Sequence, residues 1–149
     1  MKKFQVKFIA LAMMVWFGAV SVVLGSEYAD TVTIARGTHF WNVEGSTHDP
    51  KIKVGGKEHN WIDAWKHFTG KIPPRCITQG CTTPYSAVGG HVVFDSTNVK
   101  PKQTGAINSV YILPICGTFG GCNASKNTGR MTTKDDIIAV RLKNYNGMY

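Results

Sequence analysis

The chain has 149 residues, 17 Lys+Arg against 9 Asp+Glu, and a formal net charge of +8 at pH 7. That length allows one domain with a modest core and leaves no room for several. No run of five or more like charges occurs, so the charge is not a basic tail.

Lys2, Lys3 and Lys7 open the chain and are followed by the uncharged apolar run from Phe8 to Leu24. Val23 and Gly25 offer small residues at −3 and −1 to a cleavage before Ser26, the pattern of an export signal over residues 1–25. The run is about 17 residues, at the short edge of a bilayer-spanning helix, so an uncleaved inner-membrane anchor is the alternative. Both readings put residues 26–149 in an oxidising periplasmic or secreted space as a single small domain. Without the three signal lysines that domain keeps 14 basic against 9 acidic residues, a net +5. Such an excess favours an acidic partner (nucleic acid, anionic headgroups or an acidic protein), or it serves solubility alone.

The β-branched stretch Thr31, Val32, Thr33, Ile34 predicts an edge strand. Turn formers crowd the next segment, at Gly45, Ser46, Asp49-Pro50 and Gly55-Gly56, around a short strand over 51–54. A helix is predicted over 60–69, with Asn60 as N-cap, Asp63 near the positive end of its dipole and Gly70 as its stop. Trp61, Ala64, Trp65 and Phe68 make one wide apolar face on it, which reads as core. Pro73-Pro74 forces an extended approach to Cys76. Strands follow at 91–94 and 109–115, joined as a hairpin by a polar loop over 95–105. A Gly-rich loop runs over 117–121, a short helix opens at 123–127, a last strand covers 136–142, and the end frays from Asn144. The fold class is therefore α+β, with short strands and one amphipathic helix ahead of a cysteine-clamped unit.

All four cysteines follow the signal, as Cys76-x4-Cys81 and Cys116-x5-Cys122. Two close pairs on turns are what a structural Zn2+ with four thiolates needs, although the second pair is one residue longer than the usual two to four intervening residues. An even cysteine count in an exported domain equally fits disulfides among the same four, within or between the pairs. Spacing leaves both open.

The order Cys76-x4-Cys81, Gly89-Gly90-His91-Val92, Tyr111-Ile-Leu-Pro-Ile-Cys116 and Cys122-Asn123-Ala-Ser-Lys126 resembles HNH-endonuclease-type treble clefs, over about residues 74–128. The resemblance implies a ββα unit clamped by zinc. It puts His91 where the family carries a general base, which suits an imidazole that titrates near neutrality. Asn108, eight residues before Cys116, stands for the asparagine that orients this histidine, and a divalent metal would stabilise the phosphate charge. Gly90 stands where the family has an acid or histidine, and no histidine follows Cys122. Lys100, Lys102, Lys126 and Arg130 flank the motif as candidate phosphate contacts.

Two functions fit. One is an exported, rigid binding module of the envelope or secreted space, acting through the polar stretches 42–58 and 95–105. The other is a metal-dependent nuclease or nucleic-acid-binding protein using His91. His91 as a core residue on an apolar strand is the plainer reading of that histidine.

Overall fold

A computed structural model of the protein describes residues 28–82, 87–117, 122–123 and 129–145. The predicted signal over 1–25, Lys126, the helix expected to open at 123–127 (Asn123 apart) and residues 146–149 lie outside the described residues. No helix among the described residues is long and apolar enough to cross a membrane.

The elements run β1 (Ala29–Ile34), β2 (His39–Asn42), β3 (Ile52–Val54), β4 (Lys57–His59), α1 (Trp61–Thr69), β5 (Ala87–Val93), α2 (Pro101–Thr104), β6 (Tyr111–Cys116), β7 (Met131–Thr132) and β8 (Ile137–Leu142). Short 3-10 turns at Ser46–His48, Ser96–Asn98 and Ile107–Ser109 link them. Six strands form one curled antiparallel sheet in the order β1-β8-β6-β5-β2-β7, and β3 and β4 make a separate hairpin. The predicted edge strand is indeed at an edge, where β1 pairs along its length with β8. The fold is thus mixed α and β. The predicted hairpin is present, as β5 and β6 with His91 opposite Ile112.

Alternation along the strands divides the core between the two faces of the sheet. Val93, Ile112, Val140 and Leu142 pack with Ala64 and Trp65 of α1 on one face. Val92, Leu113, Ile115 and Ala139 pack with Phe40, Ile77, Met131 and the buried cysteines Cys76 and Cys116 on the other. The helix forms over the predicted residues: the Asn60 side chain accepts from the Asp63 amide at 2.9 Å, and Gly70 closes it in the left-handed region. Trp65 is 1% exposed and donates its indole N–H to the Ile138 carbonyl at 2.8 Å. The apolar helix face is core, as its spacing predicts.

β5 begins four residues earlier than predicted, because Gly89 and Gly90 hide a strand from residue propensity. Both glycines make room. A Cβ on Gly89 would lie 2.3 Å from the backbone carbon of Trp61, so the start of α1 rests directly on the strand. A Cβ on Gly90, on the opposite face, would strike Ile115. The polar loop 95–105 is more ordered than expected. It contains a 3-10 turn and α2, whose first turn holds Pro101, a residue that needs no hydrogen-bond donor there. The chain end differs too: Tyr145, predicted to fray, is 1% exposed.

Candidate metal centre and a buried histidine site

The first cysteine turn is stitched to the sheet on both sides. The Ile77 amide donates to Pro114 of β6 at 2.9 Å, the Gln79 amide to Thr132 of β7 at 2.8 Å, and the Lys134 amide to the Ile77 carbonyl at 2.8 Å. Gly80, at φ +76, lets the chain reverse so that the Cys81 amide reaches the Thr78 carbonyl at 3.2 Å. The second turn leaves the end of β6, where the Asn123 amide donates to the Cys116 carbonyl at 2.9 Å. Asn42 of β2 donates to the Cys122 carbonyl at 2.7 Å.

These constraints bring all four sulfur atoms within 4.8 Å of one another. Cys76 Sγ lies 3.7 Å from Cys122 Sγ, and Cys81 Sγ 3.3 Å from Cys116 Sγ. Neither close pair is at disulfide distance, since both separations lie well beyond the roughly 2.05 Å of an S–S bond. A tetrahedral ion with metal–sulfur bonds of about 2.3 Å would space its sulfurs about 3.8 Å apart, so the cluster is close to the size of such a site. Two backbone amides already point at sulfur: Cys116 N–H to Cys76 Sγ at 3.2 Å and Cys122 N–H to Cys116 Sγ at 3.0 Å. Such donors favour thiolate, the form that binds metal. Burial works against it. It pushes the Cys122 thiol well above its ordinary range, the neighbouring cysteines Cys116, Cys76 and Cys81 add to the rise, and the Thr78 hydroxyl offsets part of it. A divalent cation would remove that conflict by supplying the charge the pocket lacks. The cluster can hold a metal ion.

His91 sits on the α1 face of β5, its side chain 2% exposed. Its Nδ1 is 3.0 Å from Asp49 Oδ2, and the Asp49 side chain is itself only 6% exposed. Tyr145 donates its hydroxyl to the same carboxylate oxygen. The Trp61 ring packs edge-on over the imidazole, with centroids 4.1 Å apart. His91 Nε2 has no hydrogen-bond partner among the described residues. The Asp49 carboxylate accepts from Nδ1 and orients the ring, with Nε2 on the side away from it.

Asn108 does not orient the histidine. Its Oδ1 accepts from the Asn144 amide at 2.9 Å, which holds the chain end that delivers Tyr145. The orienting group is Asp49, which the sequence presents only as the first residue of an Asp-Pro turn. Tyr145 gives still less warning, since it stands near the chain end. Trp61 belongs to the predicted helix face, but its place over His91 depends on the close approach at Gly89. His39 bonds the Thr132 hydroxyl at 3.0 Å and stands apart from this group.

The two polar stretches at 42–58 and 95–105 meet. Val43, Glu44, Gly45 and Asp49 from one, and residues 100–103 from the other, line a cleft of about 310 Å³ with Tyr145. The Glu44 amide donates to the Val99 carbonyl at 2.8 Å and ties the two walls together. Lys100 pairs with Glu44 at 3.3 Å, and Lys102 lies 3.8 Å from Asp49 Oδ1 and over the Tyr145 ring. Both lysine side chains are nearly half exposed. Arg130 is exposed.

Comparison with family models, with curated proteins and with solved structures finds no match to this chain.

Proposed function

We propose that this chain is an exported binding module, clamped by a structural Zn2+ on Cys76, Cys81, Cys116 and Cys122, that engages an acidic partner at the cleft between residues 43–49 and 100–103. The observation that carries the reading is the meeting of the two polar stretches around Lys100 and Lys102. Both lysines already have acidic neighbours, Lys100 with Glu44 and Lys102 with Asp49. Exposed ion pairs such as Lys100–Glu44 contribute only about 0–1 kcal/mol, so an anionic ligand displaces Glu44 at small cost. The excess of basic residues draws such a partner from a distance. Zinc suits the reading because four thiolates at this spacing form a closed structural site.

Two measurements test it. Native mass spectrometry of the reduced protein should find one zinc per chain, lost with any one Cys→Ser change. Binding of a fluorescent single-stranded oligonucleotide, with a poly-glutamate peptide alongside, should weaken steeply with salt. The Lys100→Glu/Lys102→Glu variant should bind at least tenfold more weakly, and equal affinity in that variant removes the cleft from the reading.

The Asp49–His91 pair favours a second reading, hydrolysis with His91 as general base. A carboxylate at Nδ1 and an Nε2 that no described residue occupies suit a general base. Against it stands the burial under Trp61, which keeps a phosphodiester from Nε2 unless the helix start moves. A plasmid-nicking assay with divalent metals decides. Activity lost in His91→Ala supports the base, whereas equal activity or none in both proteins removes it.

A further inference from the structure

The sequence permits three disulfide connectivities, and the fold ranks them. Two close sulfur contacts run between the two turns: Cys81 to Cys116 at 3.3 Å and Cys76 to Cys122 at 3.7 Å. We propose that the four cysteines are a defined oxidation site, at which a low-molecular-weight disulfide converts the metal-free cluster into the crossed pair Cys81–Cys116 and Cys76–Cys122. Closing either bond shortens the separation by less than about 2 Å, within reach of side-chain rotation on fixed turns.

Exposure gives the chemistry an order. Cys76 and Cys116 are 2% and 1% exposed, while Cys81 and Cys122 are half-buried. Each crossed pair therefore joins one thiol that a reagent can reach to one that it cannot. The Cys81 thiolate attacks a sulfur of the reagent, whose S–S bond breaks and releases one small thiolate. Cys116 then gives up its proton and attacks Cys81 Sγ, forming the protein disulfide and releasing the second small thiolate. The two protons from the protein thiols end on the two small thiols. Two protein sulfurs are oxidised and one reagent disulfide is reduced. Cys122 and Cys76 repeat the sequence with a second reagent molecule. A metal ion on the cluster uses all four sulfurs, so both bonds together expel it as the free dication.

The product would staple the turn at 76–81 to the end of β6 in two places, closing loops of 35 and 46 residues. Bonds within each turn would close only the five- and six-residue separations already fixed by Gly80 and the Cys116–Asn123 backbone hydrogen bond. The longer loops constrain the unfolded chain more, so the crossed form is also the more stabilising one.

The test uses the full chain, reduced and then either stripped by chelator or loaded with zinc, and treated with oxidised glutathione. The stripped protein should become about 4 Da lighter, with no glutathione retained. Trypsin should then yield peptide 76–102 linked to peptide 103–126, and fragmentation of that product should give 81–116 and 76–122. The loaded protein should react more slowly and release its zinc, seen with a metal-binding dye, as the mass falls. Links at 76–81 and 116–122, links at 76–116 and 81–122, or four thiols that persist each overturn the proposal. A reduced protein that binds no zinc overturns the metal reading instead, and the stripped arm still decides the connectivity.

Discussion

Replacing Asp49 by alanine should be among the most destabilising single changes outside the apolar core. The carboxylate is 6% exposed and accepts from His91 Nδ1 and from the Tyr145 hydroxyl, two groups that are themselves almost fully buried. Truncation removes the acceptor and leaves both donors behind. A buried donor deprived of its partner costs about 1–3 kcal/mol, so two such donors set a loss of about 2–6 kcal/mol. Asp49→Asn keeps the volume and one accepting oxygen and should cost less, about 1–2 kcal/mol. Tyr145→Phe removes a donor together with its hydroxyl and should cost a similar amount. Combined with Asp49→Ala it should be less than additive, because the hydroxyl no longer waits for a partner. Urea unfolding followed by tryptophan fluorescence measures all four variants, and Trp61 on the imidazole reports the site directly. An Asp49→Ala protein within about 0.5 kcal/mol of the parent would refute the reasoning and open the histidine site to water.

Gly89→Ala should cost about 2–3 kcal/mol, since the new Cβ meets helix backbone that cannot rotate away. Gly70→Ala, in open space but at φ +65, should cost nearer 1 kcal/mol, and equal losses by urea titration would contradict the close packing of α1 on β5. Asp30 tests the sheet edge. The Arg141 guanidinium that bonds it holds its carboxyl below the ordinary value of 3.8, Arg141's charge and then Lys143's add to the effect, and partial burial offsets some of it. A lowered folded-state pKa means the stabilisation is present above 3.8 and fades as the pH falls through the lowered value. Asp30→Asn should therefore lose about 0.5–1 kcal/mol at neutral pH, less in high salt, and unfold in acid with a shallower pH dependence; superimposable acid limbs would exclude the pair.

The parts of the fold that sequence revealed were those written in local periodicity or local chemistry. The helix over 60–69 was legible because its cap, its stop and its apolar face all lie within one short stretch. The cysteine turns were legible because spacing and Gly80 are local too. What escaped was set by distant pieces of chain. β2 hides among turn formers because its partners, β5 and β7, lie far along the sequence. Asp49 looks like a solvated turn residue until β5 brings His91 beneath it, and only the family resemblance points to Asn108 as the partner of His91. Tyr145 reads as a loose end. It becomes core only because Leu142 closes on Val110 and Asn144 on Asn108, which turns the last described residue inward.

One strand links the two sites. On β5, Gly90 faces Ile115 and Asn123 beside the sulfur cluster, while Gly89 and His91 face Trp61 and the cleft side. The sulfurs hold the far end of β6, and β6 holds β5 in register with His91 opposite Ile112. The backbone of His91 then accepts from the Val43 amide at 2.9 Å, and Val43 is the first wall residue of the cleft. A ladder of backbone hydrogen bonds thus runs from Cys116 along β6 and β5 to Val43 in the cleft wall. A urea or fluorescence experiment that compares the metal-loaded and chelator-stripped protein tests whether the two ends of this hairpin respond together, with the Trp61 edge contact on His91 as the nearest optical reporter.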